Sequence, residues 1–327
     1  MARFDLVTLG ELLYILKAPY PGVLEHTPSL SCHAGCSEAN VAIGVTRLGW
    51  SSALVTKVVD NFIGRFAVDS VRGSGVDVSN VIWTDVGRMG LLFQEAGVPP
   101  RPTESVNDRE HSAFAQLEPE EVDWTRLRMA DRLFLSGITP ALGELPRQLV
   151  LRAVDECKGA GMQIVFDCNY RSRLWPTDEA REFIVPLLEH VDVLFLKLGE
   201  ARSILGLSGE PSEITHQLRT EHGIDTVVLS LSGDGAIAND GEMARAPPIP
   251  AHIVNRFGMG DAFIAGFLFG HANGGLRTGL DYGRAFAALK ATYLNENYPL
   301  FSRVDMERLL ESFKNGNPTN SGGEIIR

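Results

Sequence analysis

The sequence predicts a three-layer α/β/α fold, a central, mostly parallel sheet between two layers of helices, with a small β-sheet lid. Three observations predict it. Short β-rich apolar runs alternate with helical stretches along most of the chain, the rhythm of parallel βα units. Two segments, about 12–34 and 88–116, are β-prone, punctuated by Pro and Gly, and do not fit that rhythm. The length, 327 residues, exceeds a minimal domain and falls short of two ordinary ones, so one large domain with an insertion fits.

Taken in order, residues 4–9 read as a buried strand. Residues 38–48 (EANVAIGVTRL) place apolar side chains at helical spacing, and Gly49 follows as a stop. Residues 53–58 and 81–83 read as strands, with a helix over 64–72 between them. Further strands are expected at 132–135, 163–167, 193–196 and 226–231, with helices at 145–160 and 178–189. The two segments outside the rhythm read as lid strands; the other reading is two long surface loops, which are usually functional at that length. The domain so defined covers 1–314. Residues 315–327 (NGNPTNSGGEIIR) are polar and Gly/Asn-rich and read as a flexible tail.

Composition narrows the partners. The chain is 44% hydrophobic and 22% charged, with net charge −11. Such a field repels phosphate backbones, so no nucleic-acid partner is expected. It also repels a free nucleotide, so any nucleotide site must be a local exception built from backbone N–H groups, a few cations and Mg²⁺. No run of 18 apolar residues exists, so no membrane partner is expected. Asp5 and Glu11 interrupt the first apolar stretch, which argues against a signal peptide. Cys32, Cys36, Cys157 and Cys168 read as reduced thiols of a cytoplasmic protein; a metal site at Cys32 and Cys36 lacks a second ligand pair nearby.

The most informative window is IVNRFGMGDAFIAGFLFG (253–270). A β-prone run ends at Val254, a turn carries Gly258 and Gly260, and Asp261 opens an apolar helix. Phe263, Ile264, Phe267 and Leu268 form its buried face, and Ala265 and Gly266 allow close packing. Glycines before a helix start expose N–H groups, and the helix dipole adds partial positive charge: an anion site. Asp261 beside it is placed to take a proton from an attacking hydroxyl. It also suits a plain helix N-cap. No Gly-Lys-Ser/Thr follows, so this is no Walker loop, and Phe263 stands where a dinucleotide fingerprint has its third glycine.

Two further windows carry polar candidates. In AGCSEANVAIGVTRLG (34–49), Gly35 permits close approach of a ligand and Asn40 offers donor and acceptor to a sugar-type hydroxyl. A helix start capped by Ser37 explains the same residues. In IVFDCNYRSRLW (164–175), Asp167, Asn169 and Arg171 follow a buried strand at its carboxyl end, where parallel sheets place ligands. Arg171 reads either as a holder of carboxylate or phosphate or as a surface partner of Asp178.

Together these segments resemble the ribokinase-like carbohydrate kinases, the phosphofructokinase-B family, over about residues 4–312. LGE at 9–11 ends the first strand. AGCSEANVAIGVTRLG is similar to the family's first signature, VTKVVDNFIGRF (55–66) to its Gly-x-Asp-x-x-Gly loop, and VNRFGMGDAFIAGFL (254–268) to its second signature; LSGI (135–138) and FDCNYRSRLW (166–175) fall between in family order. The resemblance implies a β-lid over the sugar, ATP as phosphoryl donor with Mg²⁺, and a homodimer formed through the lid. It implies Asp261 as catalytic base, with Gly258, Met259 and Gly260 framing the anion hole. Ser230, Gly233 and Gly235, in TVVLSLSGDGA (226–236), would lie beside the nucleotide, residues 288–295, with Ala288, near the adenine, and Glu200 would order the Mg²⁺ water shell.

Within the family the 2-keto-3-deoxygluconate kinases resemble the chain most, through FDCNYRSRLW, Arg256 and the AALKAT run (287–292). That likeness implies sugar-acid contacts from Arg109 and Arg171 beside those from Gly35, Asn40 and Asp261. Other readings are a kinase for fructose, a tagatose derivative, another dehydro-deoxy sugar or a nucleoside, or a sugar-binding homologue without catalysis. The chain departs from the family pattern at Cys36, Val59, Lys197, Asn255 and Met259, and Leu92 and Asn107 stand where that branch would offer tyrosines.

Overall fold

The computed structural model describes residues 3–97, 100–294 and 301–314. Its strands in chain order are β1 (Leu6–Leu9), β2 (Leu13–Lys17), β3 (Ser31–Gly35), β4 (Ser52–Val59), β5 (Val81–Thr84), β6 (Leu91–Glu95) and β7 (Glu104–Asp108). They continue as β8 (Arg132–Ser136), β9 (Gln163–Asp167), β10 (Val193–Lys197), β11 (Thr226–Ser230), β12 (Ala236–Asn239) and β13 (Met243–Ala246). Nine form one sheet in the order β13-β12-β11-β10-β9-β8-β1-β4-β5. Every pair from β11 to β5 is parallel; β12 and β13 close the far edge antiparallel.

Side chains alternate across each strand, and the alternation builds the layers. Leu133, Leu135, Ile164, Phe166, Leu194, Leu196, Val227 and Leu229 point to one face, into a core with Leu149, Val150, Ile184, Ile214 and Leu218. Those residues come from the helices Glu144–Gly159, Thr177–Leu187 and Pro211–His222. Phe134, Val165, Val193, Phe195 and Val228 point the other way, against Val41, Val45, Ile264, Phe267 and Leu280. That face is covered by the helices Ser37–Leu48 and Met259–Ala291. The second bends back on itself at Gly274 and Gly275, which leave helical backbone angles. Its two arms pack closely: a Cβ on Gly266 would stand 2.6 Å from the Tyr282 carbonyl oxygen.

The expected lid is present as a separate four-stranded sheet, β3-β2-β6-β7, inserted after β1 and after β5. Some expectations need correction. Phe4 makes only an isolated bridge to Ala130, so the first strand starts at Leu6. The second helix begins at Phe62, where the Asn61 side chain accepts from the Ile63 and Gly64 amides. The β12–β13 hairpin and the helices Pro211–His222 and Arg303–Lys314 were not among the sequence expectations. The expected tail, 315–327, lies outside the described residues.

β1 is an interior strand, third from the β5 edge: the chain adds β4 and β5 on one side of it and β8 onward on the other. The carboxyl ends of β1 and β8 therefore flank a topological switch point, the place where open α/β sheets leave a crevice.

Candidate active site

The helix Ser37–Leu48 starts over that crevice. Its N-cap is Cys36, whose sulfur accepts from the Ala39 amide at 3.2 Å. The Ser37 cap considered from the sequence is thus corrected: Ser37 is the first helical residue, and its hydroxyl is free to turn elsewhere. It donates to Asp261 Oδ1 at 2.8 Å, while Asn40 Nδ2 donates to Asp261 Oδ2 at 2.7 Å. Ser37 and Asn40 are three apart, so the helix puts them on one face. Asn169 Nδ2 donates to the same Ser37 hydroxyl at 3.2 Å. Asn169 takes a left-handed φ of 36°, which asparagine tolerates and which turns the chain off the end of β9.

Asp261 comes to this point on the helix that begins at Met259. Gly258 caps it with φ 75°, a left-handed conformation that favours glycine. The first intrahelical bond runs from the Ala262 amide to the Gly258 carbonyl at 2.9 Å, and the Met259 amide turns back to Arg256 at 3.4 Å. The Gly260 and Asp261 amides are then left for a ligand. A Cβ on Gly260 would meet nothing within 4 Å, so this side of the turn is open. Asn255 secures the turn: Nδ2 donates to the Leu294 carbonyl at 2.6 Å and Oδ1 accepts from the Phe257 amide at 3.1 Å.

Asp261 is 9% exposed. Burial pushes its carboxyl above the usual value; the bonds from Asn40 and Ser37, then the charges of Arg171 and Lys290, pull it back. Asp167, at the end of β9, is pushed up to about 8 by burial and by Glu200, against the pull of Lys197. Glu38 is buried at the switch point with its carboxyl raised by burial, and it accepts from Ser136 at 2.6 Å and Thr139 at 3.1 Å.

Two cavities meet at Asp261. The smaller, about 140 Å³, is lined by Gly35, Cys36, Ser37, Glu38, Asn40 and Arg109, with Leu13, Leu92, Gln94, Ser105 and Asn107 from the lid. The larger, about 770 Å³, runs along the carboxyl ends of β9, β10 and β11 and onto β12 and β13. Arg171, Phe257, Gly258 and Asp261 line both.

The structure brings Gly35, Asn40, Arg171, Gly258 and Asp261 together at this junction, and Ser230, Gly233, Gly235, Met259, Gly260 and Ala288 along the larger cleft. Asn295 lies outside the described residues. Arg171 is exposed and makes no ion pair among the described residues, so the Asp178 pairing is corrected. Arg173 instead reaches the lid, at Glu104. Arg109 is at the pocket wall but committed: Nε is 2.5 Å from Glu11 Oε2, and Ser112 donates to the other Glu11 oxygen. Glu200 is buried and does not line the cleft. Its oxygens accept from the Tyr170 amide at 3.0 Å and the Lys197 amide at 2.8 Å. Among the described residues no group of three or more His, Cys, Asp and Glu could hold a metal ion. Sequence reasoning missed Glu38 and the bridging role of Ser37; the spacing of Ser37 and Asn40 was the available signal, and nothing local marked Glu38.

The profile of the pfkB family carbohydrate kinases matches residues 3–301. A 2-dehydro-3-deoxygalactonokinase of Haloferax volcanii is 34% identical over 308 residues, 94% of this chain and 96% of that one. A 5-dehydro-2-deoxygluconokinase of Bacillus velezensis is 32% identical over 317 residues, 95% of each. Among solved structures, a 2-dehydro-3-deoxygluconokinase of Thermotoga maritima matches with a TM-score of 0.88 at 28% identity, covering 94% of this chain and 98% of that one.

Proposed function

The chain belongs to the pfkB family of carbohydrate kinases, and from that premise we propose that it moves the terminal phosphate of ATP onto a hydroxyl of a six-carbon keto-deoxy sugar acid, 2-keto-3-deoxygluconate first. One observation carries this reading: a small polar pocket and a long cleft share Asp261 at a glycine-lined helix start.

The acceptor hydroxyl gives its proton to an Asp261 oxygen as its own oxygen bonds the terminal phosphorus, and the bond from that phosphorus to the ADP oxygen breaks. Ser37 and Asn40 hold the carboxylate in place, leaving lone pairs on both oxygens for the incoming hydroxyl. The Gly260 and Asp261 amides and the helix dipole face the charge that builds on the transferred group. Arg171, which makes no ion pair among the described residues and is shared by both cavities, suits the acid's carboxylate. The apolar wall of Ile249, Ala251, Ala287 and Ala288 suits a base. Mg²⁺ bound with the nucleotide would neutralise phosphate charge, and Glu200, buried behind Lys197, would serve it only through water.

A coupled assay of ADP release over 2-keto-3-deoxygluconate, its C4 epimer, 5-keto-2-deoxygluconate and fructose tests the reading. Turnover on the keto-deoxy acids above fructose is expected. Turnover on fructose alone overturns the substrate class. Sugar-dependent thermal stabilisation with no ADP release at saturating MgATP overturns catalysis.

The same reading includes a homodimer, in which the unpaired edges β3 and β7 of the lid meet a second copy; light scattering reads it directly. Four free cysteines, three of them buried, fit the reducing cytoplasm. Among the described residues no helix is long and apolar enough to cross a membrane.

A further inference from the structure

The nucleotide cleft has a direction set by the sheet. Its apolar wall includes Ala236 and Ala246, on β12 and β13, and Ala288 on the returning helical arm. Its other end is the transfer point, where Ser37 donates to Asp261 and accepts from Asn169 just beyond β9. The strand order is β12-β11-β10-β9. A nucleotide with its base at the first end and its terminal phosphate at the second must pass its phosphates over the carboxyl end of β10. The residue there is Lys197, directly across from Ser230 of β11 in the strand register.

Lys197 lines the cleft with its side chain 53% exposed, and Nζ lies 3.2 Å from Glu200 Oε1. Glu200 does not need that ammonium, because a backbone amide already serves each of its oxygens. An ion pair this exposed contributes little and is readily exchanged. The other cations of the cleft stand elsewhere. Arg284 is tied to Asp281 at 2.8 Å and to the Pro247 carbonyl at 3.3 Å, Arg256 precedes the glycine turn, and Arg171 also faces the sugar pocket.

We propose that Lys197 leaves Glu200 and grips the bridging phosphates of the nucleotide donor, supplying protein charge along the run of phosphates between base and transfer point. An ammonium is a compact charge with three donors and suits phosphate oxygens as a point contact. In a chain of net charge −11, this is one of the local cations that make a polyanion site possible. The proposal rests on ATP being the donor, as argued above.

Calorimetric titration of the full chain separates the two ideas. Wild type, Lys197→Met and Lys197→Arg are each titrated with ATP in EDTA, with MgATP and with adenosine. Lys197→Met is expected to weaken metal-free ATP about tenfold, the scale of one charge-assisted hydrogen bond at a partly exposed site. Its MgATP affinity falls less, because the ion already neutralises part of the charge. Adenosine affinity stays within about twofold of wild type, as no phosphate is involved, and Lys197→Arg restores most of the ATP affinity. Unchanged metal-free ATP affinity in Lys197→Met overturns the proposal. So does an equal loss for adenosine, which would make the lysine a structural support. Wild type that binds neither form of ATP overturns the donor reading itself.

Discussion

Asp261→Asn separates chemistry from architecture. The carboxylate accepts two hydrogen bonds, from Ser37 Oγ at 2.8 Å and Asn40 Nδ2 at 2.7 Å. An amide of the same shape keeps its oxygen for Asn40 and turns its NH₂ to Ser37 Oγ, which has a second lone pair beside the one facing Asn169. Two bonds to a charged acceptor become neutral ones, a loss of about 1 kcal/mol each. Against this, the burial that raises the Asp261 carboxyl is a penalty on its charged form, and the amide escapes it. The two effects oppose each other, so stability is expected to change by no more than about 1–2 kcal/mol. Losing a general base costs about 10²–10⁴ in rate, equivalent to about 3–5 kcal/mol of barrier at about 1.4 kcal/mol per tenfold. Turnover should therefore collapse in a protein that still folds and still binds sugar. Coupled ADP release reads the first, urea denaturation the second and calorimetric titration with 2-keto-3-deoxygluconate the third. Turnover within about tenfold of wild type, above the floor for base catalysis, would refute the assignment of Asp261 as base.

Arg171→Ala is expected to raise KM for sugar acids more than for neutral sugars, because its guanidinium is the cation both cavities share; equal losses across the panel would exclude the carboxylate role. Arg109→Ala leaves Glu11 buried without its cation, and breaking such a pair costs about 3–5 kcal/mol; a urea midpoint close to wild type would show that the pair is not structural. Asp167 gives a pH dependence. Folded, its carboxyl sits at about 8; unfolded, near the ordinary ~3.9. Between those values the folded chain keeps a proton that the unfolded chain has released, so this contribution is full below about pH 4, declines as pH rises and is gone above about pH 8. Thermal melts from pH 5 to 8 should slope downward in wild type and less so in Asp167→Asn; parallel slopes would reject the shift.

The large sheet was legible because parallel strands buried on both faces read as short apolar runs. β9, at 163–167, was placed to the residue, and the lid segments were marked by where the βα rhythm stopped. The edge hairpin of β12 and β13 was not legible. Its four-residue strands follow a glycine turn, and MARA carries no strong β signal. The glycine turn and the aspartate at 258–261 could be read locally, since helix starts and anion sites are properties of a few consecutive residues.

What the sequence by itself determined is therefore the fold class, the family likeness and the residue most suited to take a proton. It could not assign partners. Whether Asp261 capped a helix or faced a cleft, whether Arg109 was free or tied to Glu11, and whether Arg171 met Asp178 or open space were decided only when distant segments met. Ser37 and Asp261 are 224 residues apart, and Arg109 and Glu11 are 98 apart. A buried carboxylate takes its character from whatever donors and charges surround it, and those neighbours come from strand order and helix packing rather than from adjacent residues.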